Sequence, residues 1–490
     1  MKKDDIVEIY IEDMATGGEG IGKADGFALF VKDAVAGDLV KAKVVKVKKQ
    51  YGYGRLLEII EASPYRVEAA CLVHKQCGGC QLQAMSYERQ LVYKKDLVTN
   101  NLRRIGGFTE FEPEQVLGME EVQAKENNAK GEEGIGERTI FRYRNKAQFP
   151  IGRDKEGNIV AGFYAGRSHR LIPVDDCLLG RAVNQEILSI VIRFMETHGI
   201  EPYDEGKHTG LVRHVLIRQG FATGELMVCL VINGRSLPRQ EGLVKDLQKV
   251  DHMTSVSLNV NEAHTNVILG QEVLPLWGND TITDTIGNLK FRISPLSFYQ
   301  VNPVQTKRLY DTVLEYALLT GNETVWDLYC GIGTISLFLA KNAKVVYGVE
   351  VIPAAIEDAK RNAQENGIEN VRFLLGKAEE VLPRFYERGI GKKKAEKSVF
   401  EGKAEEVLSV SNTPDVIVTD PPRKGCDVKC LETIVKMQPK RVVYVSCDSA
   451  TLARDLRYLC EHGYKLVKGR VCDMFPMTVH VECVALMSRV

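Results

Sequence analysis

A cysteine lies where a strand pattern gives way to a helix pattern, in the segment VSCDSATLARD from Val445 to Asp455. The preceding run RVVYVS is rich in β-branched residues and predicts a strand that ends next to Cys447. Free cysteine is among the most buried residue types, so a packed thiol is the first interpretation for one of twelve cysteines in the chain. The alternative, a nucleophile at the edge of a sheet, depends on which other residues reach the same place.

A glycine-containing turn precedes this cysteine by more than a hundred residues. The segment VWDLYCGIGTISLFLA places Asp327 ahead of Gly331 and Gly333, and the next strand, VVYGVE, ends at Glu350. Glycines let the backbone approach a ligand closely, and a strand-ending acid can accept hydrogen bonds from ribose hydroxyls. The dinucleotide pattern G-x-G-x-x-G fails because Ser336 takes the place of its third glycine. The order of an acid, a G-x-G turn and a strand-ending acid resembles that of S-adenosylmethionine methyltransferases. The alternative interpretation of the segment is a tight turn capped by a carboxylate.

A third acid and a proline-stiffened loop are predicted beside Cys447. The strand DVIVTD ends at Asp420, and the two prolines that follow fix the course of the loop. Ligands of an open α/β sheet bind outside the carboxyl ends of its strands, so Asp420, Glu350 and Cys447 are expected around one crevice. The N-terminus of the following helix would lower the pKa of the Cys447 thiol and favour the thiolate.

The last apolar segment, MFPMTVHVECVALM, contains a candidate base, Glu482. Partial burial would raise the pKa of its carboxyl and suit it to proton transfer near neutrality. A thiolate that adds to C6 of uracil makes C5 nucleophilic, and a base must then remove the C5 proton so that the thiolate can leave. Cys447 and Glu482 are candidates for these two roles. His480 is an alternative base, and a salt-bridged strand acid is the alternative for Glu482.

Three structural units are predicted around these residues. Residues 1–62 contain glycine-broken β-rich runs typical of a small OB-like barrel, whose lysines and tyrosines suit contact with RNA. Residues 63–300 are mixed α+β. Residues 301–490 alternate strands and helices, which predicts a Rossmann-like, doubly wound α/β sheet. Within the chain, a polar loop is predicted over 119–138 and a helix-plus-loop excursion over 384–413.

The composition is that of a soluble globular protein, with 44% hydrophobic residues, 27% charged residues and zero net charge. No apolar run reaches membrane-spanning length, and the start MKKDDIVEIY lacks the apolar segment of a signal peptide. A cytoplasmic monomer without membrane contact is therefore expected.

Four cysteines outside the α/β region have the pattern of a metal site. Cys71, Cys77 and Cys80 form C-x5-C-x2-C, and Cys177 in VDDCLLG is the best candidate for a fourth ligand. Four thiolates suit either zinc or an iron–sulfur cluster, and unliganded thiols are the third possibility.

These motifs together resemble those of the bacterial RNA uracil-5-methyltransferases, most closely the members with an N-terminal TRAM domain that act on 23S ribosomal RNA. The resemblance runs almost from end to end and rests on GEGIGKADGFALFV, CGGCQLQ, YRNKAQFPIG, SFYQVN, DLYCGIGT, DPPRKGC, SCDSATLARDL and MFPMTVHVE. It implies S-adenosyl-L-methionine as methyl donor, Cys447 as nucleophile and Glu482 as base. It further implies donor contacts by Gln300, Tyr329, Glu350 and Asp420, and a [4Fe-4S] cluster on Cys71, Cys77, Cys80 and Cys177.

One departure from the family pattern follows the nucleophile, where Asp448-Ser449 stands in place of Asn-Pro. A carboxylate aimed at the sulfur would disfavour the thiolate, and the loss of proline would loosen the turn.

Other functions stay open at this point. Transfer RNA is an alternative substrate. Formation of 5-methylcytosine also uses a cysteine at C6, and N-methylation of an exocyclic amine suits the Asp-Pro-Pro motif without a nucleophile. A non-catalytic RNA-binding factor of ribosome assembly would be a protein of another class with the same fold.

Overall fold

The computed structural model describes residues 1–119, 140–166, 168–389 and 414–490, the side chains of 387–389 excepted. The loop predicted over 119–138 and most of the excursion predicted over 384–413 lie outside the described residues. Among the helices that are described, none is long and apolar enough to cross a membrane.

The N-terminal barrel is closed by five strands: β1 Ile6–Met14, β2 Gly20–Ala24, β3 Phe27–Lys32, β4 Leu39–Val47 and β5 Tyr51–Glu61. Their order is β1-β2-β3-β5-β4, and pairing of β1 with β4 closes the barrel. Side chains alternate between core and solvent, so Ile9 and Ile11 are buried while Tyr10 is exposed. The predicted β-barrel is confirmed.

The central sheet has seven strands: β6 Lys146–Arg153, β7 Ile159–Tyr164, β8 Leu171–Pro173, β9 Val212–Gln219, β10 Leu226–Ile232, β11 Met253–Val260 and β12 Glu272–Gly278. Their order is β12-β11-β10-β9-β6-β7-β8. The helices α2 Val183–His198 and α3 Gln240–Leu247 pack on one face. The other face packs against the C-terminal part, and β10 is consequently buried along its whole length.

The C-terminal part begins with the hairpin β13 Ile282–Ile286 and β14 Leu289–Ile293, followed by α4 Pro303–Ala317. Its sheet consists of β15 Thr324–Leu328, β16 Val345–Glu350, β17 Val371–Leu375, β18 Val416–Thr419, β19 Arg441–Ser446, β20 Tyr464–Cys472 and β21 Glu482–Arg489. The helices are α5 Thr334–Ala340, α6 Pro353–Glu365, α7 Ala378–Gly389, α8 Val428–Met437 and α9 Ser449–Glu461.

The order of this sheet is β17-β16-β15-β18-β19-β21-β20. The first five strands are parallel, and β21 runs antiparallel to β19 and β20. Strands such as β15 and β18 are buried throughout, because helices cover both faces. The predicted doubly wound α/β sheet is confirmed, with two antiparallel strands added at one edge.

Helix α1, Tyr87–Arg104, precedes the central sheet in sequence but packs on the C-terminal part, where Val98 and Leu102 join the core of α8 and α9. Its Lys94 forms a fully buried ion pair with Asp473, which follows β20, and the Tyr87 hydroxyl donates to the same carboxylate at 2.8 Å. The division into residues 1–62, 63–300 and 301–490 stays a prediction, and α1 packs across its last boundary.

Candidate active site

The loop after β15 is shaped by residues with positive backbone φ. Tyr329, Gly331 and Gly333 have φ angles of 65°, 55° and 83°. Residues with side chains rarely adopt such angles, which accounts for the two glycines. A Cβ atom at Gly331 would meet no atom within 4 Å, so this glycine leaves open space at the carboxyl end of the strand.

The Glu350 carboxylate at the end of β16 borders this loop. It accepts hydrogen bonds from the backbone N–H of Gly331 at 3.1 Å and from those of Val351 and Ile352 at 2.7 and 2.9 Å. The three bonds hold the carboxylate in one orientation beside the glycine turn.

Asp327 is the last residue but one of β15, and it is buried. Its Oδ2 accepts the Ser336 hydroxyl, whereas its Oδ1 has no hydrogen-bond partner within the described residues. Burial, with the nearby charges of Asp420 and Glu350, raises the pKa of this carboxyl to about 7. The orphaned oxygen and the open space at Gly331 suit a polar ligand in this turn.

Tyr329 and Gln300 come from different sides of the sheet end. Tyr329 lies against Cys430 of α8, and burial and the two thiols nearby raise the pKa of its phenol. Gln300 is buried in the loop between β14 and α4, where its backbone carbonyl accepts the Asn145 side-chain amide at 3.0 Å. The same loop is tied to α6 by the Ser297 hydroxyl, which donates to Asp358 at 2.9 Å.

Helix α4 adds Tyr310, a residue that the sequence analysis missed. Its hydroxyl shares a 2.8 Å hydrogen bond with the Thr334 hydroxyl at the start of α5. Burial raises the pKa of Tyr310, and the charges of Asp420, Asp327 and Glu482 raise it further, so this phenol lies among all three acids. An aromatic residue in an amphipathic helix pattern is indistinguishable from a core residue, and no local signal marks it.

Strand pairing brings Glu482 opposite Cys447. The last pair of the antiparallel strands β19 and β21 is Ser446 with Cys483, so Cys447 and Glu482 are the next positions along the two strands. Asp420, at the end of the neighbouring strand β18, completes the group. Glu482 is buried and Cys447 is half-buried, so the thiol lies at the carboxyl end of β19 rather than in the interior of the sheet.

The expected lowering of the Cys447 pKa is wrong. Burial, followed by the carboxylates of Glu482 and Asp420, raises the pKa of this thiol to about 11, and only Arg423 among the neighbouring charges opposes them. Burial and Asp420 also raise the pKa of Glu482 well above its usual range, again against Arg423. The Cys447 thiol of the free site therefore keeps its proton at neutral pH. Arg423 is the cation that favours both anions.

The Asp448-Ser449 pair forms the start of the helix that follows Cys447. The Asp448 carboxylate accepts the backbone N–H groups of Ala450 and Thr451 at 3.0 Å each, so it caps α9. The Ser449 hydroxyl accepts the Asn101 side-chain amide at 2.8 Å, which ties this turn to α1. The turn is held without proline.

His480, the alternative base, lies in the connection between β20 and β21 with an exposed ring. Partial desolvation of its imidazole, together with the charges of Arg423, Lys94 and Arg144, lowers its pKa. Glu482, which is buried and opposite Cys447, is the better placed of the two.

The four cysteines of the predicted metal site lie in one neighbourhood. Cys80 and Cys177 pack against the same apolar cluster, and the bridge between Cys77 and Ala165 closes the loop over them. Burial raises the pKa of Cys80 to about 12, and the other three thiols act on it electrostatically. Four thiols are the donor set that an iron–sulfur cluster takes. However, within the described residues no three potential ligands lie close enough together to hold a metal ion.

Comparison with known proteins places this geometry in a family. A tRNA (uracil-5-)-methyltransferase family model matches residues 219–490, and a TRAM domain model matches residues 4–57. An uncharacterised RNA methyltransferase of Halalkalibacterium halodurans is 50% identical over 100% of this chain and 98% of its own length. A second uncharacterised RNA methyltransferase, from Clostridium acetobutylicum, is 45% identical over 100% of this chain and 98% of its own length.

A solved structure agrees with these relatives. The Pyrococcus abyssi tRNA (uracil-54, C5)-methyltransferase in complex with S-adenosyl-L-homocysteine matches with a TM-score of 0.72 and 26% identity, over 98% of this chain and 99% of that one. The barrel is a TRAM domain, and the α/β sheet is that of a methyltransferase. The chain belongs to the S-adenosylmethionine-dependent RNA uracil-5-methyltransferase family.

Proposed function

We propose that this enzyme methylates C5 of a specific uridine in 23S ribosomal RNA through a covalent bond between Cys447 and C6 of the base. The observation that carries the proposal is the pairing of a half-buried thiol with the buried carboxyl of Glu482 across two adjacent strands. This pair lies at the same end of the sheet as the glycine turn, the end formed by the carboxyl ends of the parallel strands. A structural thiol would need neither an acid opposite it nor an open crevice beside it.

S-adenosyl-L-methionine fits the crevice next to this pair. Glu350 is oriented by three backbone amides, and the turn at Gly331 leaves open space. Three of the predicted donor contacts lie at the carboxyl ends of the neighbouring strands β16, β15 and β18: Glu350, Tyr329 and Asp420. Gln300 would join them from the loop before α4. When bound, the donor supplies an electrophilic methyl group at C5.

The protein residues handle the nucleophile and the proton. The Cys447 thiol releases its proton to solvent and the sulfur bonds to C6, and the electron pair of the C5–C6 double bond is delocalised over C5 and O4 of the ring. After C5 has been methylated, the Glu482 carboxylate removes the C5 proton, the C5–C6 double bond reforms and the C6–S bond breaks. The charge of Arg423 favours both anions, and the charge of Asp420 disfavours them.

The barrel offers a surface for the RNA. Phe30, Tyr51 and Tyr53 form a ring cluster with centroids 5.4 to 5.8 Å apart. Lysines surround the cluster, and a groove of about 880 Å³ runs from it to Cys77 and Cys80. Aromatic faces combined with positive charge bind single-stranded RNA by stacking and by phosphate contact. The target base must also be turned out of its stack to reach Cys447.

We also propose a [4Fe-4S] cluster on Cys71, Cys77, Cys80 and Cys177, with a structural role and no part in methyl transfer. The four thiols suit it chemically, and cluster assembly would draw them closer than they stand. Protein purified without oxygen should contain about four irons per chain and show broad brown absorbance, and Cys80→Ser should lose both. Purified protein that contains zinc or no metal would contradict the cluster. The monomeric state and the cytoplasmic location stay predictions.

Deletion of the gene, followed by mapping of 5-methyluridine, tests the substrate. One or more sites in 23S ribosomal RNA should lose the modification and regain it on complementation. Transfer RNA is the second candidate, because the resemblance to the Pyrococcus abyssi enzyme covers 98% of the chain, so the barrel does not separate the two substrates. Loss in transfer RNA alone would replace the first candidate. An unchanged map in both RNAs would favour a non-catalytic factor.

A further inference from the structure

Three cationic side chains converge on the face of the central sheet that packs against the C-terminal part. Lys146 on β6 stands directly opposite Arg218 on β9, so both side chains point to the same face. Leu216 lies on this face and joins the core of the C-terminal part. The positive charges of Arg218 and Arg144 both act on Lys146.

The three cations have no anionic partner among the residues that the structure describes. Within the described part of the chain, none of them forms an ion pair with a carboxylate. Arg218 is 3% exposed, its Nη2 donates to the Ser297 carbonyl, and its Nε is buried without a hydrogen-bond partner. The buried Oδ1 of Asn145, next to Lys146, is also without a partner there. Burial and the two arginines lower the pKa of Lys146 to about 7.

This cluster borders the candidate active site. Ser297, which accepts from Arg218, lies three residues before Gln300, and the Asn145 amide donates to the Gln300 carbonyl. On the other side, the charge of Arg144 acts on His480 and on the Cys177 thiol. The cations therefore lie between the methyl-transfer crevice and the cysteine group.

We propose that Arg144, Lys146 and Arg218 bind a backbone phosphate of the RNA next to the target uridine. Arg218 is buried and Lys146 is half-buried, and cations held out of water without an anionic partner cost free energy that an arriving anion offsets. An RNA strand whose base enters the crevice carries a phosphate on each side of that base. Guanidinium groups grip phosphate through paired N–H donors, and a lysine adds a point charge. The inference rests on the proposed function, since it assumes an RNA substrate in this crevice.

Lys146→Met tests the phosphate site. Binding of an unmodified 23S ribosomal RNA transcript, measured without methyl donor at several KCl concentrations, should weaken about 3- to 10-fold at low salt. The slope of log K against log salt should fall by about one ion in the variant. Lys146→Arg keeps the charge and should restore the slope. The matched control is Lys249→Met, because Lys249 is exposed next to α3 on the opposite face of the same sheet.

Thermal unfolding separates this role from a structural one. Loss of one of three adjacent cations relieves repulsion, so the melting temperature of Lys146→Met should equal or exceed that of the wild type. Loss of a lysine with a structural role would lower it. An unchanged salt slope overturns the phosphate site, and so does a raised KM for the methyl donor with unchanged RNA binding. The binding measurement needs no turnover. A wild type that binds RNA without methylating it therefore contradicts the proposed function and leaves the phosphate site testable.

Discussion

Cys447→Ala is expected to abolish methyl transfer, lowering kcat by on the order of 10⁵-fold, the effect that removal of a covalent nucleophile has in other enzymes. The chemistry depends on the sulfur, because C5 of uracil is too weak a nucleophile until C6 has been attacked. The measurement uses RNA with 5-fluorouridine at the target position. Fluorine at C5 cannot leave as a proton does, so wild type should form a complex that survives denaturing gel electrophoresis, and Cys447→Ala should not.

Cys460→Ala is the matched control for this experiment. Cys460 is a half-buried thiol in the last turn of α9, the helix that follows Cys447. This variant should keep both the turnover and the trapped complex. A Cys447→Ala enzyme that still methylates would contradict the covalent route and favour N-methylation of an exocyclic amine, which needs no thiol.

Glu482→Gln is expected to separate the two halves of the reaction. Addition of Cys447 to C6 needs no carboxylate, whereas removal of the C5 proton does, so covalent enzyme–RNA should accumulate on ordinary uridine RNA. The kcat should fall by about 10²- to 10⁴-fold, the usual range for loss of a general base. Gel analysis of the stalled complex and a methylation assay on the same sample measure both effects.

The same variant should make Cys447 more reactive, which is the opposite of what a merely damaged site would show. The Glu482 carboxylate raises the pKa of the thiol, so its removal should shift the pH profile of Cys447 alkylation to lower pH. Mass spectrometry of the Cys447 peptide after iodoacetamide treatment follows this thiol alone. A profile shifted to higher pH would mean that Glu482 does not face the sulfur.

The fold of the C-terminal part was predictable because its signals are local. The strands that end at Leu328, Glu350 and Ser446 are short apolar runs bounded by turns, and burial on both faces makes such runs unmistakable. Gly331 and Gly333 have the positive φ angles that glycine adopts most readily. Local sequence was therefore enough to locate Cys447 and Asp420 at the carboxyl ends of their strands, on the same end of the sheet.

The electrostatics of the site were not predictable in the same way. The pKa of Cys447 depends on Asp420, 27 positions earlier, and on Glu482, 35 positions later, which only the strand order β18-β19-β21 brings together. Burial and these two carboxylates outweigh the expected effect of the helix N-terminus, whose first amides the Asp448 carboxylate caps. The predicted roles of Tyr310 and of the cations at 144, 146 and 218 likewise depend on neighbours that are distant in sequence.

The ion pair between Lys94 and Asp473 bears on how freely parts of such enzymes can be exchanged. Both charges are fully buried, and one partner without the other would cost about 3–5 kcal/mol. A segment cut from residue 301 onward would leave Asp473 without its lysine and open the apolar surface that α1 covers. We therefore expect α1 and the C-terminal part to fold as one unit, so a chimera that keeps the C-terminal part must keep α1 with it.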